Sequence, residues 1–299
     1  GEFRLLGFTS VLCQLTACLY LIRKIKQRYP QLTMAVGGSA FSATSAPSAL
    51  KLFPEIDVIV IGEGELPLAH LVQHHVLEQV DLAALPPANG ILIRGRPASD
   101  RTPPDFYQLE NMDLLPQPDF DDFFELLSGF DPSRRFFPTL PVEISRGCWW
   151  QRATGPGPAQ GCAFCNLNLQ WHGYRAKSAD RVVAEIDRLT RRYKTLSVAI
   201  MDNVLPKEST ADILRGLSAL QKDIALFAEI RATTPFAELK LMRSAGLRTL
   251  QVGIEALSTR LLRKLRKGTT AIQNLEIMKH CEALGIANLA NIIAHFPGS

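Results

Sequence analysis

The feature that most constrains the fold is a repeated alternation of short apolar segments with helical ones. In the first part of the chain, the predicted strands are Arg4–Phe8, Leu32–Val36 and Asp57–Ile61. Between the first two, apolar residues recur at helical spacing until Pro30 stops the helix. The second and third strands run into the glycine turns Gly37-Gly38 and Gly62–Glu65. Strand, glycine turn and helix in repetition predict an α/β fold with a parallel sheet, whose ligands bind at the carboxyl ends of the strands.

A second alternation begins at Pro141 and predicts a partial β/α barrel. Its predicted strands are Val142–Ser145, Ser197–Met201, Leu226–Arg231, Arg248–Gly253 and Ala287–Ile293. Its predicted helices are Ala179–Tyr193, Ser209–Gln221, Pro235–Ser244 and Thr270–Leu284. The pattern covers roughly half to two-thirds of such a barrel. It stops after a strand, at Phe296–Ser299, so we expect the barrel to be truncated at its C-terminal end.

Prolines separate the two alternations. Residues 97–140 contain seven prolines and several acidic residues, and their apolar residues show no steady period. This composition predicts a linker that is ordered by scattered aromatic residues such as Phe120, Phe123 and Phe124. We therefore predict three parts: a first domain over residues 1–96, a linker over 97–140 and a second domain over 141–299.

The composition excludes several classes of protein. The chain has 33 Lys and Arg against 29 Asp and Glu, and these cations look spread along the sequence, so we expect no nucleic-acid partner. Six cysteines in 299 residues are too few for a disulfide scaffold. Three of them are clustered without a secretory signal, which indicates a metal site in the cytoplasm. The uncharged stretch Leu5–Ile22 divides into a strand and a helix, so we expect no membrane partner.

The clustered cysteines Cys148, Cys162 and Cys165 follow the first predicted barrel strand, at the face where such barrels carry their active sites. Three thiolates can hold a [4Fe–4S] cluster by three of its irons and leave the fourth iron open. Two residues separate the last two cysteines, whereas the Gly- and Pro-rich insertion Gln151–Gly161 separates them from the first. From spacing alone, a structural zinc site with His172 as the fourth ligand stays an alternative.

The residues around the cysteines are distinctive. They are Ser145-Arg146-Gly147-Cys148-Trp149-Trp150 and Gly161-Cys162-Ala163-Phe164-Cys165-Asn166. Together they resemble the cluster loop of radical S-adenosylmethionine (SAM) enzymes. The first gap is ten residues wider than the commonest spacing, and this gap, the double tryptophan and Tyr174–Ser178 are similar to the cobalamin-dependent, peptide-modifying branch. The resemblance implies a [4Fe–4S] cluster on Cys148, Cys162 and Cys165, with Phe164 beside the adenine of SAM.

Further matches follow in the same order along the chain. Met201-Asp202-Asn203 ends the second barrel strand, Glu229-Ile230-Arg231 the third and Gln251–Ala256 the fourth. The resemblance implies that the SAM-binding residues are Phe164, Asp202, Asn203, Glu229, Arg231, Gln251, Gly253 and Glu255. Arg266–Thr269 and Phe296–Gly298 also fit. Two positions depart from the family pattern, because Ala256 replaces the usual serine and Ser299 the usual glutamate.

Two short motifs in the first domain resemble the second half of a cobalamin-binding, Rossmann-like domain. They are Ser10-Val11-Leu12 and Gly37-Gly38. The cobalamin-binding residues implied by the resemblance are Ser10, Leu12, Gly37, Gly38, Gly62 and Glu63. An ordinary strand, turn and helix is the alternative, because both motifs are common by chance. The expected fold is thus a partial Rossmann-like cobalamin-binding domain followed by a partial radical SAM barrel.

The resemblance also implies a function. It predicts a radical SAM C-methyltransferase that uses methylcobalamin to methylate an unactivated carbon in a ribosomally synthesised peptide natural product. The alternatives are other cobalamin radical SAM chemistry on a small molecule, and a zinc-stabilised or corrinoid-carrying module without activity. The implied partners are a peptide or small-molecule substrate and a reductant such as flavodoxin or ferredoxin. We expect little turnover from this chain, because both of its domains are predicted to be incomplete.

Overall fold

The structure is a computed structural model that describes residues 3–96, 106–150, 161–165, 167 and 173–296. The chain forms two compact units, the first ending at Glu110 and the second beginning at Asn111. This division falls inside the segment predicted as a linker, so that residues 111–140 go with the second unit. No helix in the described part of the chain is both long and apolar enough to cross a membrane.

The first unit is built on a four-stranded sheet. Its strands are β1 (Leu5–Thr9), β2 (Thr33–Gly37), β3 (Val58–Val60) and β4 (Ile91–Ile93), in that spatial order. Its helices are α1 (Leu15–Arg28), α2 (Ala46–Leu52) and α3 (Glu65–Leu71), followed by a π-helical turn over Val72–Leu77. The first three strands are parallel, as predicted, and β4 pairs antiparallel with β3. The central strand β2 is buried on both faces, which is typical of a parallel sheet covered by helices.

The second unit is built on a five-stranded parallel sheet with the order β11-β10-β9-β8-β5. Its strands are β5 (Leu140–Val142), β8 (Ser197–Ile200), β9 (Ala225–Arg231), β10 (Leu247–Gly253) and β11 (Ala287–Leu289), and a separate antiparallel pair is formed by β6 (Ser145–Arg146) and β7 (Arg175–Ala176). Its helices are α4 (Asp121–Ser128), α5 (Ala179–Tyr193), α6 (Thr210–Ala219), α7 (Phe236–Ser244), α8 (Thr259–Lys264) and α9 (Ala271–Ala283). Strands alternate with helices, as the sequence pattern predicts.

The strand β9 shows how the sheet positions polar side chains. Leu226, Ala228 and Ile230 are buried in the hydrophobic core of this unit. Because side chains alternate between the faces of a strand, Glu229 and Arg231 lie on the other face. They stand opposite Gln251 and Gly253 of β10 in the register of the sheet. The carboxyl ends of two neighbouring strands therefore bring four of the predicted SAM-binding positions together on one face.

Two predicted strands differ from the structure. The segment Val142–Ser145 was predicted as one strand, but it divides between β5 and β6, because the carboxylate of Asp202 accepts a hydrogen bond from the amide of Ile144 at 2.9 Å. The last strand ends at Leu289 instead of Ile293. Beyond that end, only an isolated bridge between Glu255 and Ile292 continues the pairing.

The predicted linker has regular structure of its own. It contains the helix α4 and two short 3-10 turns. The ring of Phe124 stacks on Tyr193 of α5 at a centroid distance of 4.5 Å, and the amide of Phe120 donates to the Tyr193 hydroxyl at 2.7 Å. These contacts attach residues 111–140 to the second unit through aromatic residues, as the sequence indicates for Phe120 and Phe124.

Candidate functional site

The candidate site lies in the second unit, where the cysteine loop meets the carboxyl ends of β9 and β10. Cys148 follows β6 by two residues. Cys148, Cys162 and Cys165 are all partly exposed. The amide of Cys165 donates to the carbonyl of Cys162 at 3.2 Å, which closes a tight turn between these two residues. The amide of Leu167 donates to the sulfur of Cys165 at 3.4 Å.

Two cations face the cysteine sulfurs. Burial raises the pKa of the Cys162 thiol, whereas the positive charges of Lys267 and Arg231 act in the opposite direction. The guanidinium of Arg231 interacts electrostatically with Cys148 as well as with Cys162. Both cations are buried, with exposed fractions of 7% for Lys267 and 6% for Arg231. The site therefore offers a compensating positive charge to thiolates, the form in which cysteine binds metals.

The rings of Trp149 and Trp150 both contact the guanidinium of Arg231. The guanidinium carbon lies 4.1 Å from the ring centroid of Trp150 and 5.6 Å from that of Trp149. The indole of Trp149 donates to the carbonyl of Leu205 at 3.0 Å, and the indole of Trp150 donates to the carbonyl of Arg266 at 3.2 Å. Arg231 itself donates to the carbonyl of Lys267. Its orientation is thus fixed by two aromatic faces and one carbonyl.

Lys267 links the cysteine loop to the end of β10. Its ammonium pairs with the carboxylate of Glu255 at 2.8 Å and lies 5.8 Å from the ring centroid of Phe164. A Cβ at position 253 would lie 2.6 Å from the ammonium nitrogen of Lys267, so a larger residue there would displace the end of this lysine side chain. Lys267 therefore contacts both Glu255 and the end of β10.

Glu229 and Gln251 complete the group. The amide nitrogen of Gln251 donates to the carboxylate of Glu229 at 3.2 Å. Burial raises the pKa of Glu229, the nearby charge of Glu255 raises it further, and the charge of Lys267 lowers it. The structure thus brings Phe164, Glu229, Arg231, Gln251, Gly253 and Glu255 into one connected set around the cysteines. The arrangement offers carboxylates to ammonium or hydroxyl groups and a partly exposed aromatic ring to a planar base.

Asp202 lies apart from that set. It is 3% exposed, and its oxygens accept hydrogen bonds from the Ile144 amide and from the Ser145 hydroxyl. Burial raises its pKa to about 7, against the opposing effect of these hydrogen bonds. Both oxygens are therefore used to hold the backbone that leads to Cys148. A direct contact from Asp202 to SAM stays a prediction that these contacts do not support, and Asn203 is exposed to solvent.

Three of the predicted cobalamin-binding residues meet in the first unit, at the carboxyl ends of β1 and β2. The amide of Ser10 donates to the carbonyl of Gly37 at 2.8 Å, and the Ser10 hydroxyl is buried without a hydrogen-bond partner among the described residues. Gly38 has a φ of +95°, and a Cβ there would lie 2.5 Å from the Ser10 carbonyl oxygen. Leu12 begins the short 3-10 turn that follows Ser10.

Gly62 and Glu63, which were predicted to bind cobalamin, contact Tyr107 and Leu109. Gly62 has a φ of +90° and pairs with Tyr107. The amide of Glu63 donates to the carbonyl of Tyr107 at 2.9 Å, and its carboxylate accepts from the amide of Leu109 at 2.7 Å. Glu63 is only 7% exposed. These residues hold the segment 106–110 against the sheet, and their part in cobalamin binding stays a prediction.

The zinc alternative depends on residues that are only partly described. Among the residues that the structure describes, no three His, Cys, Asp or Glu side chains come together as ligands of a single metal ion. In a cubane cluster each thiolate binds a different iron, so its three sulfurs need not converge on one point. His172, Asn166 and most of the insertion 151–161 lie outside the described residues.

Sequence reasoning missed the role of Lys267. The motif Arg266–Thr269 was recognised as fitting a family pattern, but its lysine was not assigned to the site. The signal was Gly268, which has a φ of +73° and at which a Cβ would lie less than 3.0 Å from the Trp150 ring. A glycine at such a position indicates close packing of the flanking residues on the double tryptophan.

Comparison with known proteins shows what the second unit resembles. Residues 153–299 match the model of the radical SAM superfamily, a range that includes Cys162 and Cys165 and begins after Cys148. The chain is 28% identical over 285 residues to an uncharacterized methyltransferase of Pyrococcus horikoshii, covering 93% of this chain and 57% of that protein. It is 24% identical over 286 residues to the hopanoid C-3 methylase of Methylococcus capsulatus, covering 92% of this chain and 49% of that protein.

The fold is also similar to a solved structure, that of the cobalamin-dependent SAM radical enzyme OxsB with aqua-cobalamin and SAM bound. The TM-score is 0.71 at 21% identity, over 96% of this chain and 40% of that one. The chain spans about half the length of the curated relatives it matches. The match to the radical SAM superfamily model is confined to residues 153–299.

Proposed function

We propose that this chain performs radical SAM chemistry on a [4Fe–4S] cluster held by Cys148, Cys162 and Cys165, and that it transfers a methyl group from methylcobalamin to an unactivated carbon. The observation that carries the proposal is the position of these cysteines. They lie beside two buried cations, Arg231 and Lys267, at the carboxyl ends of the strands of a unit that matches the radical SAM superfamily model over residues 153–299.

The donor set fits the cluster. Three partly exposed thiols, two cations that stabilise thiolates and an amide donor to the Cys165 sulfur are the groups that iron–sulfur clusters require. When bound, the cluster supplies one electron for the cleavage of SAM, and methylcobalamin supplies the methyl group. Arg231, fixed between Trp149 and Trp150, places its charge beside the sulfurs.

SAM binding is proposed for the set around Lys267. Glu229 and Gln251 present a carboxylate and an amide that can orient the ammonium group of a methionine moiety. Glu255 is held by Lys267 at 2.8 Å and keeps an oxygen for a ribose hydroxyl. Phe164 is 42% exposed and offers its ring to the adenine. The absence of a side chain at Gly253 lets a ligand approach the backbone there.

Cobalamin binding is proposed for the first unit. It is supported by the buried, unpartnered hydroxyl of Ser10 and by the left-handed backbone of Gly38, which packs closely on the Ser10 backbone and leaves a spare polar group at the ends of β1 and β2. The fold similarity to a cobalamin-dependent enzyme covers 96% of the chain and so includes this unit. At 21% identity, this similarity is a similarity of fold alone.

The methyl acceptor has two candidates. A peptide acceptor is supported by the sequence resemblance at the double tryptophan and at the widened gap between the first two clustered cysteines. A small apolar molecule is favoured by the similarity to a relative whose name describes a hopanoid methylase. SAM with a labelled methyl group distinguishes methyl transfer from other radical chemistry, because only methyl transfer carries the label into the product.

The test is spectroscopic. The protein is reconstituted anaerobically with iron and sulfide, and the electron paramagnetic resonance (EPR) spectrum of the reduced cluster is recorded with and without SAM. We expect SAM to change the spectrum, and Glu229→Gln to weaken this effect while the iron content stays the same. The exposed control Glu276→Gln should behave like the wild type. If the EPR spectrum of the reduced cluster is the same with and without SAM, the proposal is wrong.

A further inference from the structure

One stretch of the chain concentrates positive charge. The 20 residues 256–275 contain five cations and no Asp or Glu, although the whole chain has a net charge of only +4. The five are Arg260, Arg263, Lys264, Arg266 and Lys267. The rest of the chain therefore carries a net charge of −1. The cations are not spread evenly, contrary to the expectation from the sequence as a whole.

This stretch borders the cysteine loop on both sides of its insertion. The amide of Ala163, next to Cys162, donates to the carbonyl of Leu265 at 2.8 Å. The indole of Trp150, two residues after Cys148, donates to the carbonyl of Arg266 at 3.2 Å. The backbone that follows α8 is therefore attached to the loop that carries the cysteines.

Three of the cations point away from the protein. Arg260, Arg263 and Lys264 are exposed, and they form no ion pair with any residue that the structure describes. Their helix is anchored by Leu262 and Leu265, which are both fully buried. We call Arg260, Arg263 and Lys264 the basic edge. It is a fixed, uncompensated positive surface directly beside the cysteine loop.

We propose that the basic edge is the docking surface for an acidic electron-carrier protein that reduces the cluster. This inference rests on the proposed function, because it requires the cluster. The step transfers one electron: the carrier, a reduced flavin or iron–sulfur protein, is oxidised by one electron and the cluster is reduced by one. No covalent bond forms or breaks. Opposite charges at such a surface speed association and orient the carrier.

An RNA partner fits the basic edge less well. Proteins that bind single-stranded RNA place aromatic side chains between their cations so that bases can stack. Residues 256–275 contain no Phe, Trp, Tyr or His, and the apolar residues between the cations are leucines whose burial anchors the helix. The charge is also confined to one short helix and the turn after it, which is a small footprint for a phosphate backbone.

The experiment compares two reductants on the reconstituted protein. Stopped-flow absorbance follows cluster reduction by reduced flavodoxin, an acidic carrier, and by photoreduced deazaflavin, a small reductant. The double variant Arg263→Glu, Lys264→Glu should slow reduction by flavodoxin about 10-fold at low salt. Its rate should also lose most of its salt dependence. Reduction by deazaflavin should stay unchanged, and Arg263→Gln, Lys264→Gln should give an intermediate rate.

The matched control carries the same change of charge elsewhere. Arg188 of α5 and Lys279 of α9 are exposed, and the variant Arg188→Glu, Lys279→Glu should keep the flavodoxin rate within about twofold of wild type. An unchanged flavodoxin rate in the basic-edge variant, or equal slowing in the control, overturns the docking surface. The docking surface is also overturned if the basic-edge variant loses binding to an RNA oligonucleotide but is still reduced by flavodoxin at the wild-type rate. If deazaflavin reduces no cluster even in the wild type, the proposed function fails first, and the docking surface falls with it.

Discussion

Replacing Asp202 by asparagine should make the stability of the second unit depend less on pH between pH 5 and pH 8. Asp202 is 3% exposed, and burial raises its pKa from 3.8 to about 7. Well below pH 3.8 the carboxyl is protonated in both the folded and the unfolded protein. As the pH rises toward 7, the unfolded form ionises while the buried form stays neutral, so the folded state loses stability.

The magnitude follows from the two pKa values. A pKa of 3.8 in the unfolded chain and about 7 in the folded one makes wild-type stability fall by about 2–3 kcal/mol between pH 5 and pH 8. Asparagine has no such ionisation. Its carbonyl oxygen can still accept from the Ile144 amide, and its NH₂ group can donate to the Ser145 hydroxyl, so the local hydrogen bonds are kept.

The assay is urea unfolding of the protein without cofactors at pH 5 and at pH 8. With a slope of about 2–3 kcal/mol per molar urea, the wild-type midpoint should drop by about 1 M more than that of Asp202→Asn over this range. The exposed control Asp212→Asn should keep the wild-type dependence. Equal midpoint shifts in wild type and Asp202→Asn would refute the argument that Asp202 is buried in its neutral form.

Three further substitutions test the site. Cys148→Ala should abolish cluster assembly, measured as loss of iron and of visible absorbance after reconstitution; an iron content like that of the wild type would contradict the assignment. Lys267→Met leaves the carboxylate of Glu255 without its partner and should lower the free energy of unfolding by about 3 kcal/mol in urea titrations, and a loss below 1 kcal/mol would show that the pair is solvated. Gly268→Ala forces a Cβ into the ring of Trp150 at a φ of +73° and should cost about 2–4 kcal/mol with a change in tryptophan fluorescence, whereas an unperturbed spectrum would place the ring elsewhere.

The sequence predicted the elements whose signals are local. The helix Ala179–Tyr193 was predicted with its observed bounds, because Ser178 caps it and Val182, Ile186 and Leu189 recur at helical spacing. The division of Val142–Ser145 could not be predicted, since it depends on a carboxylate almost sixty residues away in the chain. The strand Ile91–Ile93 was missed because three apolar residues are too few to show a period.

For the candidate site, too, some features were predicted from the sequence and others were not. The register of β9 and β10 brings Glu229, Gln251 and Glu255 together, as the order of motifs along the chain indicated. The sequence did not show which polar side chains form hydrogen bonds within the protein. The buried carboxylate of Glu63 binds the Leu109 amide, a contact that joins distant parts of the chain. Likewise, only the structure shows that Arg231 is clamped by the double tryptophan.

The central claim is that three thiolates hold an iron–sulfur cluster with one iron open to SAM. The most direct measurement is metal analysis of the reconstituted protein together with EPR of its reduced form. The account predicts about four iron atoms per chain and a cluster spectrum that changes when SAM is added. Zinc bound at the cysteines in place of iron, or a cluster that persists when Cys162 and Cys165 are replaced by serine, would contradict it.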